Sequence, residues 1–178
     1  MNDPVYRGFL KRQYEEGMEL AHSSDLIELI PFGPLSSESD PPDQYVAVLR
    51  CAGLVRNGGS PVPANLFEVG IWFPSDYLRR VEPAEVLTWL GPPHVFHPNI
   101  RPPYICLGKV SPATSLVELI YRLFDLVTYN EVTMREDDAL NLSACAWARD
   151  NQDRLPIDRR PLKRRTLALD VDLKEGAR

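Results

Sequence analysis

Residues that carry metal or redox chemistry are scarce in this 178-residue chain, which has three cysteines and three histidines. Cys51, Cys106 and Cys145 are odd in number, lie far apart and form no Cys-x-x-Cys pair. That argues against a structural zinc site and against a disulfide framework. No apolar run approaches the roughly 20 residues that a membrane span needs. The opening stretch MNDPVYRGFLKRQYEEG has no signal-peptide hydrophobic region, so the expected location is the cytoplasm, where thiols stay reduced. An excess of positive charge is missing too. Twenty Lys and Arg against 25 Asp and Glu leave a net charge of −5, which disfavours nonspecific nucleic-acid binding by the whole chain. Proline, by contrast, is plentiful: 17 residues with hydrophobic runs between them, a pattern of long ordered loops rather than disorder. The length suits one domain with a real core.

Local patterns predict an α+β chain. Asp3-Pro4 reads as a helix start, with Asp as N-cap and Pro at the first helical position. Val5, Phe9, Leu10, Tyr14, Gly17, Met18 and Ala21 then recur on one face, opposite Arg7, Lys11, Arg12, Glu15, Glu16 and Glu19. Residues 25–32, 44–54 and 65–74 read as strands, with polar turns at 36–43 and 56–63 between them, as in an antiparallel meander. Residues 75–93 predict a short helical turn followed by a fourth strand. Helical spacing of Leu116, Leu119, Ile120, Leu123, Phe124 and Val127 predicts a helix over 112–130. A further helix is expected behind an Asn141 N-cap, with Leu140 and Cys145 placed to form a hydrophobic staple. RRPLKRR (159–165) is a basic run that suits an acidic partner, nucleic acid at low salt, or plain solvation. Residues 166–173 alternate like a half-buried strand, able to join a sheet edge of this chain or of a partner.

The stretch FHPNIRPPYICLG (96–108) holds His, Asn and Cys in a proline-stiffened loop. His97-Pro98-Asn99 followed by Ile105-Cys106-Leu107 resembles the active-site signature of ubiquitin-conjugating (E2) enzymes. Ser111-Pro112-Ala113 is similar to the tripeptide ahead of the long E2 helix. Asp137-Asp138-Ala139-Leu140-Asn141 is similar to the Asp-Asp-Pro-Leu-Asn that opens the next helix. The resemblance runs from about residue 5 to 155 and implies the UBC fold: an N-terminal helix, a four-stranded antiparallel meander, an active-site loop and C-terminal helices. Residues 1–155 would then be the catalytic domain and 156–178 a basic, strand-like extension. The chain departs from the family in several places. The turn from Asn99 to Cys106 is Ile-Arg-Pro-Pro-Tyr, the link from Cys106 to Ser111 is short and lacks tryptophan, and Leu78 stands where a proline is expected. This trimming resembles divergent bacterial E2-like proteins, which are encoded beside E1-like enzymes, often in antiviral gene clusters.

The resemblance implies that Cys106 accepts a ubiquitin-like modifier from an E1-like activating enzyme as a thioester and that an amine on a target protein then attacks it. A thiolate is nucleophilic even at a small population, whereas taken without the motif a free cysteine is usually a small buried hydrophobe. Cys51, in a strand, and Cys145, at a helix start, keep that reading. Asn99 either donates its amide hydrogens to the oxyanion or caps backbone groups in the loop, and the two roles are compatible. By the resemblance His97 and Pro98 brace the loop, which disfavours a Cys106–His97 protease dyad. Asp138 would orient the incoming lysine, although the longer preceding loop leaves Asp137 and Glu136 as alternatives. Tyr104 is either a cover for the thiol or a core residue. Arg7, Lys11 and Arg12 would meet the E1-like enzyme, and Pro112 would meet an E3 ligand if one exists. No metal or organic cofactor is implied, since the E1 uses the ATP. The rival reading is a noncatalytic E2-fold binding module, a class that typically lacks the cysteine.

Overall fold

Asp3 sets the start of the chain's order. Its carboxylate accepts hydrogen bonds from the Val5 and Tyr6 amides, and Pro4 occupies the first turn of helix α1 (Pro4–His22). The computed structural model describes residues 3–32 and 40–164. The buried stripe of α1 is Phe9, Leu10, Gln13, Gly17 and Leu20. Val5, expected on that stripe, is 68% exposed, and Tyr14 is also at the surface. A glutamine takes their place because it does polar work in the seam. Gln13 Oε1 accepts the Leu116 amide at 2.7 Å, while Nε2 donates to the Phe9 carbonyl at 3.4 Å. A side chain of the first helix thereby satisfies an orphan amide at the start of a helix about a hundred residues later. Gly17 lets the two approach: a Cβ there would lie 2.7 Å from Leu116 Cδ2 and 2.9 Å from Leu29 Cδ2.

Next come β1 (Ile27–Phe32), β2 (Gln44–Leu49), β3 (Gly53–Asn57), β4 (Ser60–Ala64), β5 (Phe67–Trp72), the one-turn helix α2 (Pro83–Val86) and β6 (Leu87–Gly91). A four-stranded antiparallel sheet forms in the order β1-β2-β5-β6. Opposed pairs such as Tyr45–Ile71, Ala47–Val69 and Leu49–Phe67 are buried, which fixes the register through one apolar face. The strand expected over 44–54 is two strands, broken at 50–52, and the turn expected at 56–63 is most of a hairpin. Gly58 and Gly59 both have positive φ, as a two-residue hairpin turn requires. Pro61 and Pro63 in β4 mask the strand in the sequence, since proline lowers strand propensity.

The tail of the fold holds two short strands, β7 (Ile100–Arg101) and β8 (Tyr104–Ile105), then α3 (Leu116–Val127) and α4 (Leu142–Asp150). Helix α3 starts later than its periodicity predicts because Ser115 caps it, accepting from the Glu118 amide at 3.1 Å, while Pro112 and Ala113 form a turn with Ala113 at φ 65°. Asn141 caps α4 as expected, accepting from the Ala144 amide at 3.1 Å. The main core lies between the sheet, α1 and α3; a smaller one, built on Leu54, Phe96, Tyr129, Ala144 and Ala148, lies under α4.

The stretch after 155 is fastened to the body. Leu162, 3% exposed, belongs to the main core. The buried Asp158 carboxylate accepts the Ala52 amide at 3.2 Å and pairs with Arg160 at 2.5 Å. Lys163 pairs with Glu19 at 3.2 Å, and Arg164 pairs with Asp25 while its amide donates to the Ser23 carbonyl. Much of the basic run thus finds its acidic partners within this chain. The alternating stretch 166–173 lies outside the described residues. No helix among the described residues is long and apolar enough to cross a membrane.

Candidate functional site

Strands β7 and β8 form a hairpin with Pro102 and Pro103 at its tip. Ile100 opposes Ile105 and Arg101 opposes Tyr104. The Cys106 amide donates to the Asn99 carbonyl at 2.8 Å, which carries the ladder one step further. Ile100 and Ile105 are buried, whereas Asn99, Arg101, Tyr104 and Cys106 are partly or well exposed. Because side chains alternate across a strand, these four share the outward face. Tyr104, 51% exposed, is therefore not a core residue. Cys51 and Cys145 are buried, while Cys106 is partly exposed. Burial raises the thiol pKa of Cys51, to about 12, and also that of Cys145. Neither is placed to act as a nucleophile.

Several anchors hold the hairpin. The Trp89 amide of β6 donates to the Pro103 carbonyl at 2.8 Å. Beyond the thiol, Arg122 of α3 donates to the carbonyls of Leu107 at 2.6 Å and Lys109 at 3.0 Å. Gly108 lies between those carbonyls at φ 72°, a conformation in which a glycine is at ease. Sequence reading missed Arg122 because its partners are backbone oxygens, which no side-chain pattern announces. Arg122→Ala is expected to loosen this clamp, costing about 1.5–3 kcal/mol by the usual worth of charged hydrogen bonds. Faster amide exchange across residues 107–110 would report it.

Ahead of the hairpin, His97 is 1% exposed. Its Nδ1 accepts the Asn99 amide at 3.0 Å, which places the ring proton on Nε2. Nε2 has no hydrogen-bond partner, and the Leu126 backbone favours the charged ring less than burial opposes it. Burial dominates and pushes the imidazole pKa down to about 3. The ring packs on Tyr129, with centroids 4.4 Å apart, and the Tyr129 hydroxyl donates to the Phe96 carbonyl. A buried neutral ring whose one acceptor nitrogen is already occupied braces the loop and cannot serve Cys106 as a base. Phe96 belongs to the smaller core and Ile100, Ile105 and Leu107 to the main one, so His97-Pro98-Asn99 spans the boundary between them.

The segment 133–141 stands on that tripeptide at both ends. Asn99 Oδ1 accepts the Thr133 amide at 3.2 Å, and the Pro98 carbonyl accepts the Asn141 amide at 3.0 Å. With Oδ1 fixed in this way, the Asn99 Nδ2 is left without a hydrogen-bond partner among the described residues. Asn99 therefore organises the loop and keeps donors free. Between the two ends, Asp137 and Asp138 lie in an exposed 3-10 turn over Glu136–Asp138. Arg135 reaches Asp137 Oδ1 at 3.1 Å and Asp138 Oδ2 at 3.4 Å, and its hydrogen bond holds the Asp137 carboxyl below the usual carboxylate range. Glu136 pairs with Arg149 at 3.0 Å. The hydrogen bonds and ion pairs of Asp138 join it to Arg135, not to the hairpin.

The residues expected to meet partners lie elsewhere. Arg7 pairs with Asp40 at 2.8 Å and Lys11 faces Glu15 at 3.8 Å, whereas Arg12 is exposed without an ion pair among the described residues. Pro112 is exposed on the turn before α3. Among the described residues no cluster of three or more His, Cys, Asp or Glu is placed to hold a metal ion. Comparison with protein-family models and with curated proteins finds no match to this chain.

Proposed function

We propose that this chain is an E2-like transferase of UBC type that carries a ubiquitin-like modifier on Cys106 and passes it to an amine. The observation that carries the reading is the outward face of the β7–β8 hairpin, where the one cysteine that is not buried stands across from an asparagine with free amide donors. Support also comes from the order of elements, with an N-terminal helix, a four-stranded antiparallel sheet, the hairpin and then two helices.

In the first step the Cys106 thiolate attacks the thioester carbonyl presented by an E1-like enzyme. A C–S bond forms, a tetrahedral oxyanion develops, and the E1 thiolate leaves. In the second step a lysine that has lost its ammonium proton to water attacks the same carbonyl, the new C–N bond replaces the C–S bond, Cys106 leaves as thiolate, and the remaining excess proton on the nitrogen passes to that thiolate or to water. Asn99 Nδ2 is the group available to stabilise both oxyanions, and loss of such a donor typically costs about 2.7–4 kcal/mol in the barrier. Asp138 or Asp137 would receive the incoming ammonium by exchanging it for Arg135.

Incubation with ATP, a cognate E1-like enzyme and its small modifier should yield a thiol-sensitive adduct, seen by intact mass. Cys106→Ala should abolish it and Cys51→Ala should not. Cys106→Ser should give an ester that resists thiols but yields to base. No adduct with an E1 proven active on that modifier would overturn the assignment.

A further inference from the structure

On the outward face of the hairpin, Arg101 has no ion-pair partner among the described residues. The acidic residues of the nearby 133–141 segment are in the opposite condition, each being held by Arg135 or Arg149. Lys109, exposed just beyond Cys106, also lacks an ion pair among the described residues. On the face that the thiol shares, the positive charge of Arg101 is therefore uncommitted, while the neighbouring negative charge is already paired. Directly across from Arg101, the exposed ring of Tyr104 gives the same face an apolar wall.

We propose that Arg101 is a specificity residue that reads a carboxylate on the polypeptide tail delivered to Cys106, with Tyr104 as the wall along which the tail lies. The inference rests on the acyl-carrier reading of Cys106 and names the chemistry of its donor. An exposed guanidinium presents a rigid fork of N–H donors that matches a carboxylate with two parallel hydrogen bonds. Arg101 and Cys106 are diagonal neighbours across the hairpin, about 7–8 Å apart. An extended chain advances about 3.3 Å per residue, so the carboxylate belongs two residues before the terminal residue whose carbonyl reacts.

Synthetic benzyl thioesters of acetyl-Glu-Gly-Gly and acetyl-Gln-Gly-Gly test this on the full chain without an E1. The Cys106 thiolate attacks the glycyl carbonyl, the new C–S bond replaces the old one, and benzyl thiolate leaves and is protonated. Intact mass then reports the acyl-enzyme. The Glu peptide should load about three- to fivefold faster at subsaturating concentration, the size expected of an exposed ion pair. The preference should appear in the half-saturating concentration rather than in the maximal rate, and should fade in 1 M salt, where the screening length is about 3 Å. Arg101→Gln should erase it, Arg101→Lys should retain part of it, and Arg101→Glu should transfer it to the Lys-Gly-Gly thioester. Equal loading of the Glu and Gln peptides by the unmodified chain would overturn the inference and leave the carrier reading standing. Iodoacetamide separates the two cases: a Cys106 that it fails to label is unreachable, and both readings then fall.

Discussion

Removal of residues 156–178 is expected to lower the melting temperature by about 10 °C, even though the sequence places this stretch outside the catalytic unit. Leu162 fills the main core, and emptying such a site costs about 2–5 kcal/mol. Asp158 and Arg160 would go with it, leaving the Ala52 amide without its carboxylate. A chain of this size loses about 2–4 °C per kcal/mol. Differential scanning calorimetry of the truncated and full chains checks the total. Leu162→Ala in the full chain should account for a third or more of it. A truncated chain that melts with the full one would show that the removed stretch contributes nothing.

Acid should unfold the protein in two pH windows with separate causes. His97 titrates at about 3 when folded, against an ordinary value of 6.5. Between those values the unfolded chain binds a proton that the folded chain refuses, so stability falls as the pH drops from about 6.5 toward 3, by at most about 1.4 kcal/mol per pH unit. Asp158 behaves as a depressed carboxylate, titrating at about 2 against an ordinary 3.8, chiefly through its hydrogen bond to Arg160. Its contribution is complete above about pH 4 and is lost as the pH falls toward 2. Urea titrations from pH 7 to pH 3 should show the first slope. His97→Gln should lower stability at pH 7, because the Asn99 amide loses its acceptor, and should flatten the slope between pH 6.5 and 4. A slope unchanged by that substitution would assign the acid sensitivity to other groups.

What was legible in the sequence follows from how far each signal reaches along the chain. Caps and periodicity are local, so the Asp3 and Asn141 caps, the apolar face of α3 and the four main strands could all be read. Gln13 could not, because its partner is a backbone amide at residue 116, and a glutamine on a helix normally signals solvent. The β3–β4 hairpin was hidden by its own prolines, although the Gly58-Gly59 pair was the available clue. At the candidate site, the tripeptide and Cys106 stood out by residue type. The shared outward face of Asn99, Arg101, Tyr104 and Cys106 depends on a register that composition does not carry. The basic run 159–165 read equally as a partner site or a solvated surface, whereas Glu19 and Asp25 answer much of its charge from across the fold.

The backbone amide of Cys106 is already committed, since it closes the ladder to the Asn99 oxygen. Serine proteases of the chymotrypsin type turn that same group toward the negative oxygen of the reacting carbonyl, a route that is shut here. Under the proposed transfer, charge relief would fall to the Asn99 carboxamide, whose Oδ1 accepts the amide of Thr133, a residue 34 positions further along the chain. The Cys106 sulfur and the residue that holds the Asn99 side chain thus lie on different stretches of polypeptide.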